Sequence, residues 1–321
     1  MNVHDITTIG VAGAGTMGSG IAQLFARWGY DVRVVDLAED CLEKSRRLVA
    51  LYNSSLVEHG IMAEQEAEQT ARRISYHLDR GTLHDADVIV ETIVEKLDAK
   101  QVFWEQVEAI ARRDALFTTN TSGLSINRIA ARVKNRGRFI GMHFWNPPHI
   151  IPLVELIRAD ETDGETVDVL RELLHTVDKA PVVVQKDAPG FIGNRLQFAV
   201  FREALHLVEA GIATAEDVDR AMRCGPGFRY PILGPLQTAD LGGLDVFCSI
   251  ASYLFGALSD TKEAPEMLTD MVAAGRLGVK SGQGFYDYSG GKDVETIKRR
   301  DRMFLEMLKH IHSSFGDANV G

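Results

Sequence analysis

Apolar residues follow two different spacings along this chain, and the change between them divides it into two parts. Before about residue 187, short apolar runs alternate with longer segments in which apolar residues recur about every 3.6 positions. This alternation is typical of a parallel sheet whose strands are joined by crossover helices. The predicted strands are 6–12, 31–35, 88–92, 116–119, 138–144, 153–157 and 182–184.

Helices are predicted between these strands. The stretch 97–111 has the spacing of an amphipathic crossover helix, because Phe103 and Val107 fall on one apolar face. The stretch 38–75 is longer than a single crossover helix requires. It predicts two helices, broken near Gly60, that form an insertion after the second strand.

From residue 187 onward the pattern is helical almost to the end of the sequence. The segment 191–210 is apolar around most of its circumference and stops at Gly211, a residue type that favours helix termination. Such a helix must be buried in its own domain or against another subunit, so we expect a homodimer formed through this part. The predicted fold class is α/β: a Rossmann-type, doubly wound, mostly parallel sheet in residues 1–186, followed by an all-α C-terminal domain in residues 187–321.

Composition narrows the functional class. The chain has 321 residues, 45% hydrophobic and 25% charged, which suits a globular protein with two cores. Its net charge of -10 argues against a nucleic-acid partner, which needs a basic patch. The three cysteines are widely spaced and indicate reduced thiols rather than disulfides or a metal site. The sequence shows no secretory signal and no apolar run long enough for a bilayer, so we expect a soluble, cytoplasmic protein with no membrane partner.

A glycine-rich turn after the first strand is the candidate nucleotide site. Gly13, Gly15 and Gly18 follow the apolar strand and lead into a helical segment. The first glycine permits the tight turn, the second lets the backbone approach a pyrophosphate, and the third allows close packing of the helix on the strand. The backbone amides around Thr16 and Met17 would then point at the phosphates, in the field of the helix dipole.

The end of the second strand indicates which nucleotide is bound. Asp36 lies about 20 residues past the glycine motif, where a carboxylate can accept hydrogen bonds from ribose hydroxyls. Leu37 and Ala38 supply no cation for a 2′-phosphate, so NAD is favoured over NADP, although Arg33 could face the pocket. Strand, turn and acid together favour a nucleotide site over a glycine-rich turn that binds nothing.

Candidate chemistry follows in the segment 143–155. His143 supplies a titratable imidazole, Asn146 a neutral amide, and Glu155 a carboxylate on the next predicted strand. A general base needs such a partner to fix its tautomer and to stabilise its charged form. Ser122 follows a strand that would reach the carboxyl edge of the sheet, where α/β proteins bind ligands. The alternatives are a hydrogen-bonded core histidine at His143 and a helix cap around Ser122. With the nucleotide signature upstream, the joint interpretation is a dehydrogenase acting on an alcohol.

Taken together, these motifs resemble the L-3-hydroxyacyl-CoA dehydrogenase family, which includes bacterial 3-hydroxybutyryl-CoA dehydrogenases. The similarity runs over nearly the whole chain, and several spaced motifs in one order are more specific than any single motif. The matching motifs are the glycine-rich turn, 90–95 with Lys100, 120–122, the block that begins at His143, 188–195 and 280–286.

The resemblance implies a role for each matching position. His143 would be the acid/base residue, with Glu155 as its partner. Ser122 and Asn194 would hydrogen-bond the reacting oxygen, and Asn146 would support the same site. The implied activity is the NAD-dependent interconversion of a 3-hydroxyacyl-CoA and a 3-ketoacyl-CoA, with short chains favoured.

The resemblance also implies cofactor contacts. Glu95 and Lys100 would contact the nicotinamide ribose region, and Lys280 would approach the cofactor from the C-terminal domain. The alternatives are a solvated Glu95–Lys100 pair on a helix and a loop charge at Lys280. The substrate is expected in the cleft between the two domains.

Departures from the family pattern leave the substrate open. The stretch 53–60 of the insertion lacks the lysines that usually meet the phosphates of coenzyme A, and only Lys44, Arg46 and Arg47 upstream could substitute. Pro152 replaces a usual lysine, and Trp145 and His149 are bulkier than usual. The segment 225–235 is longer than the usual turn and is similar to that of relatives that oxidise free hydroxy acids, such as gulonate or carnitine dehydrogenases. Arg229 in this segment could clamp a substrate carboxylate, or be a surface arginine.

Three functions therefore remain, in order of expectation. The first is a 3-hydroxyacyl-CoA dehydrogenase, and the second is a dehydrogenase of a small free hydroxy acid or carboxylate-bearing alcohol, aromatic ones included. The third is a non-catalytic NAD-binding structural or sensing protein, against which the intact His143, Glu155 and Asn194 argue.

Overall fold

The chain forms two compact units. The structure, a computed structural model, describes the backbone of residues 1–316 and the side chains of residues 1–310. One unit covers Met1–Gly193, and the second begins at Asn194. The domain boundary predicted at residue 187 stays a prediction, and residues 317–321 of the predicted C-terminal domain lie outside the described residues.

The first unit is built on one eight-stranded sheet with the order β3-β2-β1-β4-β5-β6-β7-β8. Neighbouring strands are parallel except β6 and β7, which are antiparallel. The predicted class, a doubly wound and mostly parallel sheet followed by a helical region, is confirmed. The strands are β1 (Thr8–Ala12), β2 (Asp31–Val35), β3 (Ile74–His77), β4 (Val88–Glu91), β5 (Leu116–Thr119), β6 (Phe139–Phe144), β7 (Leu153–Arg158) and β8 (Ala180–Val184).

Helices cover both faces of this sheet. Phe25 and Leu170 belong to the core on one face, and Trp104 and Phe117 belong to the core on the other. Strands β4, β5 and β6 are buried along their whole length, as expected for strands covered on both faces. The helices of this unit are α1 (Thr16–Arg27), α2 (Glu39–Glu58), α3 (Glu64–Arg72), α4 (Leu97–Ile110), α5 (Ile126–Ile129) and α6 (Gly164–Thr176).

The sheet order reverses between β1 and β4, where chain connections leave in opposite directions. Ligands of doubly wound sheets bind at such a point, outside the carboxyl ends of the strands. Because β7 is antiparallel to β6, and β8 is parallel to β7, the starts of β7 and β8 lie at the same edge as the end of β6. The carboxyl ends of β1 to β6 and the starts of β7 and β8 therefore lie along one edge of the sheet.

Strand β3 was not predicted, and it ends the stretch interpreted as an insertion. Only Ile74 of its four residues is buried, so the strand carries almost no alternating pattern. Strand β3 is held in the sheet by backbone pairing with β2, and the spacing of apolar residues along the sequence does not predict such pairing. Between α2 and α3, Gly60 adopts a positive φ of 66°.

The second unit is helical in its described part. Its first helix begins two residues later than the predicted segment 191–210, because Gly190 and Phe191 adopt positive φ angles of 77° and 51°. No helix among the residues described here is both long and apolar enough to cross a membrane. The helices are α7 (Gly193–Glu209), α8 (Ala215–Cys224), α9 (Pro226–Arg229), α10 (Pro235–Gly242), α11 (Leu244–Leu254), α12 (Glu266–Ala273) and α13 (Lys292–Gly316).

Candidate active site

The glycine turn between β1 and α1 has the geometry of a pyrophosphate site. Gly13 adopts a φ of 104°, a backbone conformation that disfavours any side chain. A Cβ on Gly18 would lie 1.8 Å from the carbonyl oxygen of Gly13, so the helix can approach the strand this closely only with glycine there. A Cβ on Gly15 would meet nothing within 4 Å, which leaves open space beside the turn.

The N-terminus of α1 lies at this turn, and its first backbone amides have no acceptor within the helix. Thr16 and Met17 are its first two residues, and the N-cap, Gly15, makes no side-chain capping bond. The first amides of a helix have no acceptor within the helix, and the helix dipole attracts negative charge to them. No acidic residue stands in the first turn, so the turn suits a phosphate.

Two backbone amides fix the side chain of Asp36 at the end of β2. Its Oδ2 accepts from the Ala14 amide at 2.7 Å, and its Oδ1 accepts from the Leu37 amide at 2.7 Å. Arg33, the one cation that could have served a 2′-phosphate, donates instead to Asp85 Oδ2 at 2.9 Å. The glycine turn and this carboxylate therefore fit NAD.

A buried ion pair supports Glu95 at the neighbouring strand ends. Lys100 Nζ lies 2.5 Å from Glu91 Oε1 and 3.2 Å from Glu95 Oε2, and both Lys100 and Glu91 are fully buried. Glu95 Oε1 accepts from the Thr121 hydroxyl and from the Ser122 amide, the latter at 3.1 Å. Burial alone would raise the pKa of Glu95, but these donors and Lys100 lower it below its usual value. Of the solvated pair considered as an alternative from sequence, Lys100 is buried, whereas the Glu95 side chain is 47% exposed.

His143 and Glu155 lie opposite each other on β6 and β7. His143 Nδ1 lies 2.8 Å from Glu155 Oε2, and the two residues are 5% and 0% exposed. Two backbone amides, from Ile192 and Gly193, donate to Glu155 Oε1 at 2.9 Å each. Trp145 Nε1 donates to Oε2 at 3.2 Å. The carboxylate is thus held by four donors at the carboxyl edge of the sheet.

These bonds determine the charge state of Glu155. Burial alone would raise its pKa, but the hydrogen bonds from His143, the two amides and Trp145 together hold the pKa below its usual value. The group is a carboxylate at neutral pH. A buried carboxylate in contact with an imidazole fixes the ring tautomer and favours its charged form, which is what proton transfer requires.

The other predicted site residues lie in several places. Asn146 is exposed and precedes Pro147 just beyond β6. Asn194 is the second residue of α7 and the first of the second unit. Arg229 is exposed at the end of α9, and Lys280 lines an apolar cavity of about 520 Å³ in the second unit. The roles assigned to these residues from the family resemblance stay predictions.

Several residues of this arrangement were not predicted. Glu91 could have been noticed as a lone carboxylate in an otherwise apolar strand, a position that demands a charge partner. The amides of Ile192 and Gly193 carry no sequence signal for their role. The sequence placed Thr121 in a family motif and showed Trp145 to be bulkier than usual, but neither feature predicts that these side chains donate to Glu95 and Glu155.

A second group of titratable side chains lies at the same edge. Lys179 precedes β8, and its Nζ donates to the carbonyl of Ile151 at 2.8 Å. The ring of His149 stacks on Tyr52 with centroids 4.1 Å apart. Burial, opposed by the Asp178 charge and helped by the Arg27 charge, lowers the pKa of Lys179 to about 7. Burial and the charges of Lys179 and Arg27 lower the pKa of His149 to about 3.

The chain matches two protein-family descriptions that follow one another along it. Residues 8–188 match the NAD-binding domain of 3-hydroxyacyl-CoA dehydrogenase. Residues 190–288 match the C-terminal domain of 3-hydroxyacyl-CoA dehydrogenase. The resemblance inferred from the motifs is confirmed.

Individual relatives cover most of the chain. It is 34% identical over 285 residues to the 5-formyl-3-hydroxy-2-methylpyridine 4-carboxylate 5-dehydrogenase of Mesorhizobium japonicum, covering 88% of this chain and 91% of that protein. It is 37% identical over 292 residues to a 3-hydroxybutyryl-CoA dehydrogenase of Bradyrhizobium diazoefficiens, covering 91% and 98%. A crystal structure of a 5-formyl-3-hydroxy-2-methylpyridine 4-carboxylic acid 5-dehydrogenase, described as an NAD+-dependent dismutase, superposes with a TM-score of 0.88 at 32% identity, covering 95% of this chain and 98% of that one.

These matches agree with the geometry of the nucleotide turn. NAD, predicted from Asp36 and the glycine motif, is confirmed as the cofactor, and the prediction of an oxidoreductase enzyme is confirmed as well. The non-catalytic alternative is therefore set aside. The chain belongs to the 3-hydroxyacyl-CoA dehydrogenase family of NAD-dependent oxidoreductases.

Proposed function

We propose that this chain is a dehydrogenase in which His143 is the acid/base residue and Glu155 its charge partner. The observation that carries the proposal is the 2.8 Å hydrogen bond between His143 Nδ1 and Glu155 Oε2, buried at the ligand edge of the sheet. With Nδ1 bound to the carboxylate, Nε2 is the ring nitrogen that exchanges a proton with the substrate.

The proposed reaction couples this proton to a hydride. In oxidation, His143 Nε2 takes the hydroxyl proton of the substrate while the carbon bearing that hydroxyl loses a hydride. NAD supplies the hydride acceptor when it is bound. The imidazolium that forms lies against the Glu155 carboxylate, which stabilises its charge. In reduction, the same nitrogen returns the proton to the developing alkoxide.

Other residues of the site orient the reactants in this proposal. Ser122 and Asn194 hydrogen-bond the reacting oxygen, and Asn146 supports the same position. Such donors stabilise the charge that develops on an alkoxide. The Glu95 carboxylate accepts hydrogen bonds from ribose hydroxyls of the cofactor, and the buried Lys100 keeps that carboxylate in place.

For the substrate, the charges of the insertion favour a small free acid over a coenzyme A thioester. Residues 38–75 carry seven carboxylates against five lysines and arginines. Lys44 is the one lysine among them, and each of the four arginines lies within 3.4 Å of a carboxylate. The phosphates of coenzyme A would have to displace those carboxylates to be neutralised, whereas a small acid makes no such demand.

One of the relatives supports the same order. The Mesorhizobium japonicum enzyme is named for a pyridine that carries a carboxylate beside its formyl group. We therefore propose a small carboxylate-bearing alcohol or carbonyl compound, aromatic ones included, as the substrate. Arg229 is the candidate clamp for that carboxylate, because a guanidinium matches a carboxylate in two hydrogen bonds.

A short-chain 3-hydroxyacyl-CoA, the first expectation from sequence, becomes the second candidate. The observation that favours it is the 37% identity to a 3-hydroxybutyryl-CoA dehydrogenase over 91% of this chain.

The two candidates are separated by NADH absorbance with acetoacetyl-CoA and with a panel of free keto acids. We expect turnover on free acids, with a kcat/KM for acetoacetyl-CoA that is at least tenfold lower. Arg229→Gln should raise KM for the free acid about tenfold, the loss of one charged clamp. Efficient turnover of acetoacetyl-CoA alone would reverse this order.

A further inference from the structure

Glu155 shares one carboxylate oxygen between two ring N–H groups. Its Oε2 accepts from His143 Nδ1 at 2.8 Å and from Trp145 Nε1 at 3.2 Å. Its Oε1 accepts from the amides of Ile192 and Gly193. A carboxylate has about four lone-pair sites, so these four donors satisfy it completely.

Local packing holds the indole at this position. A Cβ on Gly193 would lie 2.4 Å from Trp145 Cζ2, so a side chain there would displace the indole. The His143 ring lies between two aromatic rings, with centroids 5.9 Å from Trp145 and 5.7 Å from Phe191. The indole is therefore part of the same packed unit as the proposed acid/base pair.

We propose, as an extension of the proposed function, that Trp145 is a positioning residue that tunes the His143–Glu155 pair through its indole N–H. A hydrogen bond to a carboxylate withdraws negative charge from the oxygen that accepts it. Glu155 Oε2 therefore stabilises an imidazolium at His143 less strongly than it would without the indole. Trp145 in this way opposes the stabilisation that Glu155 gives to the protonated ring.

The described hydrogen bonds to this carboxylate come from His143, Trp145, Ile192 and Gly193. Strands β5 and β8 carry no ionisable residue. The other ionisable residue of β7, Arg158, lies at the opposite end of that strand and donates to the Thr162 carbonyl at 3.0 Å. Asp178 and Lys179 precede β8, Lys186 and Asp187 follow it, and Arg195 is the third residue of α7.

The pH dependence of kcat/KM tests this role. Trp145→Phe removes the indole N–H and keeps an aromatic ring. For alcohol oxidation, in which His143 acts as the base, we expect the acidic limb of the profile to move to higher pH by about 0.3–1 unit, the effect of losing one hydrogen bond, with the NAD Kd unchanged. Trp28→Phe, which alters a surface indole at the end of α1, is the matched control and should leave the profile in place.

A second measurement detects the hydrogen bond without turnover. The indole N–H signal of Trp145 in a proton–nitrogen NMR spectrum is assigned by its loss in Trp145→Phe. Glu155→Gln should shift this signal and leave that of Trp28 unchanged. An unmoved Trp145 signal, or a Trp145→Phe profile that superposes on the parent profile, overturns the inference.

The inference and the proposed function can fail separately. If His143→Ala abolishes turnover while Trp145→Phe leaves the profile unmoved, only the role of Trp145 is wrong. If His143→Ala retains full turnover, both are wrong.

Discussion

Lys179 shows how strongly burial can lower the pKa of a lysine. It is 6% exposed, and its Nζ donates to the backbone carbonyl of Ile151 rather than to a carboxylate. Burial lowers the pKa of Lys179 from 10.5 to about 7. In the unfolded chain, Lys179 keeps its ordinary pKa of 10.5. The unfolded state therefore binds more protons than the folded state between about pH 7 and pH 10.5.

Lys179→Met should therefore stabilise the protein in a pH-dependent way. For the parent protein, the cost of burying the ammonium is fully present below about pH 7 and disappears as the pH rises towards 10.5. We expect the variant to gain a few kcal/mol in the free energy of unfolding at pH 6, and much less at pH 9.5. Urea denaturation at the two pH values measures the difference.

Lys44→Met is the matched control for this experiment. Lys44 is exposed on α2, so its replacement should change stability little, and equally at both pH values. A gain from Lys179→Met that did not depend on pH would contradict the burial of a charged group at this position.

Single residues differ in how far sequence reveals their role. His143 and Glu155 could be paired from sequence because adjacent strands joined by a short connection place such residues side by side. The burial of Lys100 could not be predicted, because lysine on an amphipathic helix is usually solvated. Its partner, Glu91, is the residue that explains this burial, and the pairing depends on strand order rather than on spacing.

At the scale of elements, the turn between β1 and α1 combines two requirements that substitutions can separate. Gly18 is required by the fold, since its Cβ would overlap the Gly13 carbonyl oxygen at 1.8 Å. Gly15 has open space around its Cβ position, so the fold does not require glycine there. The requirement at Gly15 comes from the approach of the pyrophosphate.

Alanine substitutions should separate these requirements. Gly15→Ala is expected to keep the Tm of the parent protein and to weaken NAD binding at least tenfold, because the new methyl group meets the ligand. Gly18→Ala is expected to lower the stability itself, by roughly 1–3 kcal/mol. Thermal unfolding and NADH fluorescence titration measure the two effects. Equal loss of stability in both variants would contradict this division.

The elements themselves were predictable where the hydrophobic pattern was strong. The buried strands β4, β5 and β6 each begin with a short apolar run, which sequence identifies readily. Strand β3 depends on backbone pairing with β2. The start of α7 depends on the positive φ of Phe191, a backbone conformation that phenylalanine rarely adopts. Spacing carries no information about either.

At the scale of the whole molecule, the second unit exposes a large amount of apolar surface. Leu205 is the buried residue of α7, whereas Leu196 and Phe198 are 55% and 59% exposed. The same unit contains the apolar cavity of about 520 Å³. Extended apolar patches on soluble proteins mark interaction surfaces, which supports the expected homodimer.

Light scattering after size-exclusion chromatography tests this expectation. We expect a dimer at micromolar concentration, and a shift to monomer in Phe198→Glu, because a charge on this face opposes association. Leu51→Glu, at a similarly exposed leucine on α2 of the first unit, is the control and should remain dimeric. A monomeric parent protein would refute the prediction.

Proton transfer by His143 is the central claim, and the turnover of His143→Ala tests it most directly. We expect kcat to fall by about 10²–10⁴, while the Kd for NADH stays at the parent value because the glycine turn and Asp36 are untouched. His84→Ala, at an exposed histidine, serves as the control. A His143→Ala enzyme that kept the parent kcat would contradict the account.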